Sequence, residues 1–131
     1  MSTRGTILFV EDHPDTRAMM SYMLEEAGFQ VTSVETLAEA ISLAERQKFD
    51  ACLLDHVFPD GSGLTLCRIL RELYPDRPIV FFSAAAHPRE QEEGLRCGAN
   101  VYLTKPADIA HVTDTIIRLI EEADGKSTSQ D

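Results

Sequence analysis

TILFVED, residues 6–12, decides how the rest of the chain is read. Thr6–Val10 is a continuous apolar run of strand length, the pattern of a parallel strand covered on both faces. It stops on two acids, Glu11 and Asp12. The same event recurs three times further on: ACLL ends on Asp55, IVFF on Ser83, and VYLT on Lys105. In an open parallel sheet the strand ends share one crevice, the usual ligand site of such folds. Three carboxylates, one hydroxyl and one ammonium are therefore predicted in a single pocket, suited to a divalent cation and a phosphoryl group.

Between these runs the spacing turns helical. After Asp12-His-Pro-Asp, Met19, Met20, Met23, Leu24 and Ala27 recur on one face, with Asp12 or Asp15 as cap, Pro14 in the first turn and Gly28 as the stop. Gln30–Val34 alternates polar and apolar residues, as an edge strand does. Thr36-x-x-Glu39 is a capping-box pattern opening a helix whose apolar face is Leu37, Ala40, Ile41 and Ala44. Pro59-Asp-Gly-Ser-Gly63 reads as a turn-rich loop. Leu64, Cys67, Ile69, Leu70 and Leu73 form the stripe of a third helix ending near Pro75.

The segment from about His87 to Cys97 is polar almost throughout, with Leu95 as its main anchor, so a helix there is expected to be the loosest of the set. Asp108 is placed to cap a last helix with Ile109, Val112, Ile116, Leu119 and Ile120 on one face. Ile117 falls about 80° off that face at 100° per residue, which leaves it exposed. A βα unit repeated about five times implies a parallel sheet wrapped by helices. Residues 1–124 make one domain, and 125–131 read as a polar, disordered tail.

Composition narrows the function. The chain has 131 residues, 44% hydrophobic and 26% charged, which suits one domain with a full core. Its formal net charge is -10, so direct nucleic-acid binding is not expected. Cys52, Cys67 and Cys97 lack CxxC or metal-ligand spacing and read as packed, reduced thiols of a cytoplasmic chain. The start MSTRG carries no apolar leader core, and no apolar stretch approaches the ~20 residues of a membrane span. His13, His56, His87 and His111 are scattered without pairing. Gly125-Lys126-Ser127 lacks the glycine of a P-loop, because Ile120 stands there.

Carboxylates brought close together raise one another's pKa unless a positive charge neutralises them. Lys105 alone leaves a negative surplus, and Mg²⁺ is the hard cation that takes one or two carboxylates and bridges to phosphate oxygens. A carboxylate beside it is then a nucleophile toward phosphorus. Taken singly, each residue also has a plain explanation as a cap, a turn former or a solvated charge. Four independent strand ends supplying the right groups is the stronger observation.

Glu11-Asp12, the string Asp55-His-Val-Phe-Pro-Asp-Gly-Ser-Gly63, Ser83-Ala84 and Tyr102-x-x-Lys105-Pro106 resemble the receiver domain of two-component response regulators, over roughly residues 5–122. The resemblance implies an α/β, flavodoxin-like (βα)₅ doubly wound parallel sheet with strand order 2-1-3-4-5. It implies Asp55 as phosphoacceptor, with Mg²⁺ held by Asp12, Asp55 and the Val57 backbone carbonyl, and by Glu11 through water. Ser83, the Ala84 amide and Lys105 would meet the phosphoryl group. Ser83 and Tyr102 would be the switch pair, and the peptide before Pro106 would be cis. Three departures stand out: Ala107 where an aromatic is frequent, Phe58 where Met is commoner, and Val57. An apolar Val57 side chain cannot orient a water, so slow self-hydrolysis is expected.

The function implied is a non-enzymatic, phospho-accepting module. It takes a phosphoryl group from a sensor histidine kinase or phosphotransfer protein and alters a surface read by a downstream effector or fused output domain. Homodimerisation through the last helix, with Ile117 as a contact, stays open. A small Mg²⁺-dependent aspartyl-phosphate hydrolase is the rival, but it wants an acid two residues past the nucleophile, where Val57 stands. A receiver-like scaffold that never carries phosphate is the third reading, and the intact acceptor set weighs against it.

Overall fold

The computed structural model describes residues 3–128. Five strands form one sheet: β1 (Gly5–Val10), β2 (Phe29–Val34), β3 (Ala51–Leu54), β4 (Ile79–Ser83) and β5 (Val101–Thr104). Every pairing in it is parallel and the strand order is 2-1-3-4-5. The helices are α1 (Pro14–Glu26), α2 (Leu37–Arg46), α3 (Gly63–Leu73), α4 (Pro88–Arg96) and α5 (Val112–Thr128). This is the expected flavodoxin-like (βα)₅ fold, with β2 and β5 at the edges.

Period-two alternation divides the core between the sheet faces. Leu8, Val10, Cys52, Leu54 and Phe81 pack with Leu37, Ala40 and Ala44 of α2 and with Leu66, Cys67 and Leu70 of α3. Ile7, Phe9, Leu53, Val80 and Phe82 pack on the opposite face with Met20 and Leu24 of α1 and Val112, Ile116 and Ile120 of α5. Val34, Val10, Leu54, Phe81 and Tyr102 lie in register across all five strands. β1, β2 and β3 end on that row and β4 and β5 run two residues past it, which brings the carboxyl ends of the strands to one edge. The three thiols are unpaired and buried, and burial pushes those of Cys52 and Cys67 up to about 12, so they remain thiols.

Several local expectations are corrected. α1 is capped by neither Asp12 nor Asp15: His13 is its N-cap, without a side-chain bond, and Pro14 opens the helix. Thr36 Oγ1 does accept the Glu39 N–H, but the Glu39 carboxylate turns to the Glu35 N–H and the Thr36 hydroxyl. The turn-rich loop contains a hairpin, Val57–Phe58 against Gly61–Ser62. Leu66, outside the predicted stripe of α3, is fully buried, whereas Leu73 at its end is exposed.

Leu95 is no anchor. It is 46% exposed, because α4 turns the small Gly94 inward instead. Asp108 starts a turn of 3-10 helix, Ile109–His111, and its carboxylate accepts from the backbone and hydroxyl of Thr104 rather than capping α5. Those bonds, led by the Thr104 N–H, hold its carboxyl below the usual range. Ile117 is half-buried against the α1/α5 core, not exposed. α5 runs on to Thr128, through residues 125–128 of the predicted tail; residues 129–131 lie outside those described. Among the described residues no helix is long and apolar enough to cross a membrane.

Candidate functional site

Parallel strands bring the predicted residues to one edge. Carboxylate oxygens of Glu11 and Asp12, just past β1, lie within 4.8 Å of one another and of Asp55, just past β3. Glu11 is 1% exposed, Asp55 is half-buried and Asp12 faces solvent. Lys105, just past β5, reaches across with Nζ 2.7 Å from Glu11 Oε1 and 3.0 Å from Asp55 Oδ2. The Lys105–Pro106 peptide is cis. The other Asp55 oxygen, Oδ1, accepts the His56 N–H at 2.6 Å.

Local packing explains how these groups are held. The Asp55 N–H donates to Val10 O and the Glu11 N–H to Val34 O, extending the ladders past the strand ends. α3 begins against the acceptor itself: a Cβ on Gly63 would run into the Asp55 carbonyl, so only glycine fits there. Ser62 caps α3 by accepting the Leu64 N–H. Asp60, at the tip of the hairpin, accepts from the Leu37 and Ala38 amides at the start of α2. The bond from Leu37 is the first cause of its lowered pKa. The hairpin carrying Val57 is thereby tied to α2.

The electrostatics show a surplus of negative charge. Burial raises the Glu11 carboxyl above its ordinary 4.5, and the charge of Asp55 adds to the rise, against the opposing hydrogen bond from Lys105. Burial alone would lower Lys105, but its bonds to Glu11 and Asp55 outweigh that and raise its pKa. One ammonium thus pairs with two of the three carboxylates, Glu11 and Asp55. The donor set is oxygen throughout, which suits a hard cation such as Mg²⁺ or Ca²⁺.

Ser83, ending β4, is buried, and its Oγ accepts the Ala85 N–H at 3.1 Å. Ala84 beside it is exposed. Tyr102 points into the protein with its ring stacked on Phe81 at 5.1 Å between centroids. Its hydroxyl donates to Ala85 O at 2.5 Å. Burial raises the Tyr102 phenol's pKa, opposed by the Ser83 hydroxyl as a hydrogen-bond donor. The structure therefore brings Glu11, Asp12, Asp55 and Lys105 into one cluster, and beside it Ser83 and Tyr102 meet at Ala85, one bonded to its N–H and the other to its carbonyl. The Val57 side chain lies outside both, 65% exposed at the rim.

Two residues of this neighbourhood carry no signal in the sequence. Gly94 gives up its side chain to the Tyr102 ring, whose Cδ2 lies 2.7 Å from where a Cβ would stand. His56 Nδ1 lies 2.9 Å from Tyr102 Oη. A lone glycine in a polar helix and a lone histidine after an apolar run give no periodicity to read.

Residues 7–117 match the family model described as the response regulator receiver domain. The chain is 36% identical over 118 residues to a 14.6 kDa protein of Leptolyngbya boryana, covering 88% of this chain and 87% of that one. It is 32% identical over 114 residues to the response regulator protein PilR of Pseudomonas aeruginosa, covering 87% of this chain and 26% of PilR. Across PilR and the transcriptional regulatory proteins it matches, the chain spans 26% to 55% of their length. Among solved structures it resembles a Burkholderia pseudomallei response regulator described with a phosphorylated aspartic acid, a calcium ion and citrate. The TM-score is 0.80 at 25% identity, over 96% of this chain and 74% of that one.

Proposed function

Because the chain belongs to the response regulator receiver domain family, we propose that Asp55 is its phosphoacceptor, charged by a sensor histidine kinase or a phosphotransfer protein. The observation that carries this reading is the convergence of Glu11, Asp12 and Asp55, with Lys105 bridging the first and last. Receiver domains are phosphoacceptors rather than conventional enzymes, and they bind Mg²⁺ at an acidic pocket. The three carboxylates here fit that ion: they are close together, oxygen-only and under-neutralised. Asp12 and Asp55 would hold it with the Val57 carbonyl, and Glu11 through water. Bound there, the ion supplies positive charge to the phosphoryl oxygens.

Asp55 performs the substitution. A carboxylate oxygen attacks phosphorus, and a new P–O bond forms as the P–N bond of the donor phosphohistidine breaks. The electron pair leaves with the imidazole nitrogen, which takes a proton from water. Lys105 keeps its ammonium on the reacting side and neutralises charge carried by the incoming group. Ser83 and the Ala84 amide receive the remaining phosphoryl oxygens. The side chain of Val57 offers no hydrogen bond to an attacking water, which favours a long-lived acyl phosphate.

Phosphorylation adds roughly 1.5–2 negative charges at this edge. Ser83 and Tyr102 transmit it to α4, β5 and α5, the face read by an effector or an output domain elsewhere in a longer regulator. The setting proposed is cytoplasmic. Incubation with acetyl phosphate and Mg²⁺, read by intact-protein mass, tests the assignment. One base-labile phosphoryl group is expected, absent without the metal and absent in Asp55→Ala. A label on another residue, or one retained in Asp55→Ala, overturns it.

A further inference from the structure

His56 follows the acceptor directly, yet its ring points away from the carboxylate cluster and into the sheet face, 9% exposed. There it lies beside Phe81 and Tyr102, with ring centroids 5.9 and 6.1 Å away. Its Nδ1 is 2.9 Å from Tyr102 Oη, and the same hydroxyl is bonded to Ala85 O. The proton count fixes the direction of both bonds. A carbonyl oxygen only accepts, so the single phenol proton goes to Ala85 O. Tyr102 Oη must then accept from His56, which carries its hydrogen on Nδ1.

On this geometry, and resting on the reading of Ser83 and Tyr102 as the switch pair, we propose that His56 is the positioning residue that holds Tyr102 in its buried rotamer. Four features act together on that rotamer. Gly94 leaves room for the ring, Phe81 stacks on it, Ala85 O takes the phenol proton, and His56 supplies a donor to its oxygen. Only the last is tied to the acceptor, since the His56 N–H also donates to Asp55 Oδ1. One residue thus joins the end of β3 to β5 and to the loop after β4. Rotation of Tyr102 outward strands a buried Nδ1–H without a partner, which biases the equilibrium toward the inward form. An apolar side chain at this position removes that bias.

The test compares His56→Leu with His56→Asn in protein labelled with 3-fluorotyrosine. The two replacements have similar shape, but only asparagine places an N–H near the Nδ1 position. ¹⁹F spectra, with a soluble gadolinium chelate as contact probe, report how often Tyr102 is exposed; Tyr102→Phe identifies its signal among those of Tyr22 and Tyr74. His56→Leu is expected to raise the exposed-to-buried ratio roughly tenfold, the equivalent of one buried hydrogen bond. His56→Asn is expected to restore most of the buried form. An unchanged Tyr102 signal in the leucine variant, or asparagine behaving as leucine does, overturns the proposal.

Should the leucine variant fail to fold, Tyr102→Phe decides the matter alone. It removes the oxygen on which His56 Nδ1 rests, so the imidazole ¹⁵N signals must move, and unmoved signals contradict the inference. Labelling of the wild-type protein by acetyl phosphate separates this outcome from the larger reading. An unlabelled wild type with Tyr102 released in His56→Leu overturns the acceptor assignment and keeps the role of His56. A labelled wild type with Tyr102 unmoved does the reverse.

Discussion

α3 and α4 follow consecutive strands and cover the same face of the sheet, yet they are held in opposite ways. α3 drives Leu66, Cys67 and Leu70 fully into the core and is capped by Ser62. Its first residue, Gly63, rests on the acceptor's own carbonyl. α4 buries Gly94 alone among its residues and leaves Leu95 in solvent. A capping box of His87 and Glu90 closes its first turn, but its grip on the core is shape: a missing side chain filled by the ring of Tyr102. Burying leucine stabilises by roughly 1.5–3 kcal/mol per side chain, and α4 has no such term. One half of the site is thus a fixed floor, and the other rests on a ring whose placement depends on a few polar contacts.

The sharpest way to break this contrast is in α3. Leu70→Ala should destabilise the whole domain by about 2–5 kcal/mol, read from the urea midpoint, because the cavity lies among residues that cannot collapse onto it. Gly94→Ala should cost about 1–3 kcal/mol through overpacking, and should also displace Tyr102, seen as a change in its NMR signal. A Gly94→Ala protein as stable as wild type would show that α4 already sits off the ring.

The floor has its own signature in pH. Native Glu11 holds a proton more firmly than it does in the unfolded chain, its pKa being raised above 4.5 by burial and then by Asp55. Its contribution to stability is therefore full below 4.5 and is lost as pH rises through the native value. Glu11→Gln should remove that loss, so the variant gains stability relative to wild type across the same window. Added Mg²⁺ should stabilise the wild type at neutral pH by about 1–3 kcal/mol at saturating concentration, and Asp12→Asn less. The smallest effect expected is Leu95→Ala, within about 0.5 kcal/mol, since the side chain is exposed.

These differences also mark what the sequence reveals. The floor is legible because its information is local: apolar runs set the strands, and each polar residue that ends a run stands at the same edge. Glu11, Asp12, Asp55, Ser83 and Lys105 all follow from that rule. α4 is not legible in the same way. Helical periodicity looks for large apolar side chains and so points to Leu95, while the contact is made by a residue with no side chain. His56 escapes for a related reason, since its partner Tyr102 is 46 positions away and only the register of β3, β4 and β5 brings them together. The α1 cap and the extent of α5 depend on tertiary packing, which capping patterns and polar composition do not encode.

Hydrogen exchange of the wild type, with and without acetyl phosphate and Mg²⁺, puts the two halves side by side. Changed protection is expected in residues 83–104, covering the loop after β4, α4 and β5, while the amides of α3 keep theirs. Equal changes in α3 and α4, or none in either once Asp55 carries its phosphoryl group, would contradict a fixed floor coupled to a movable wall.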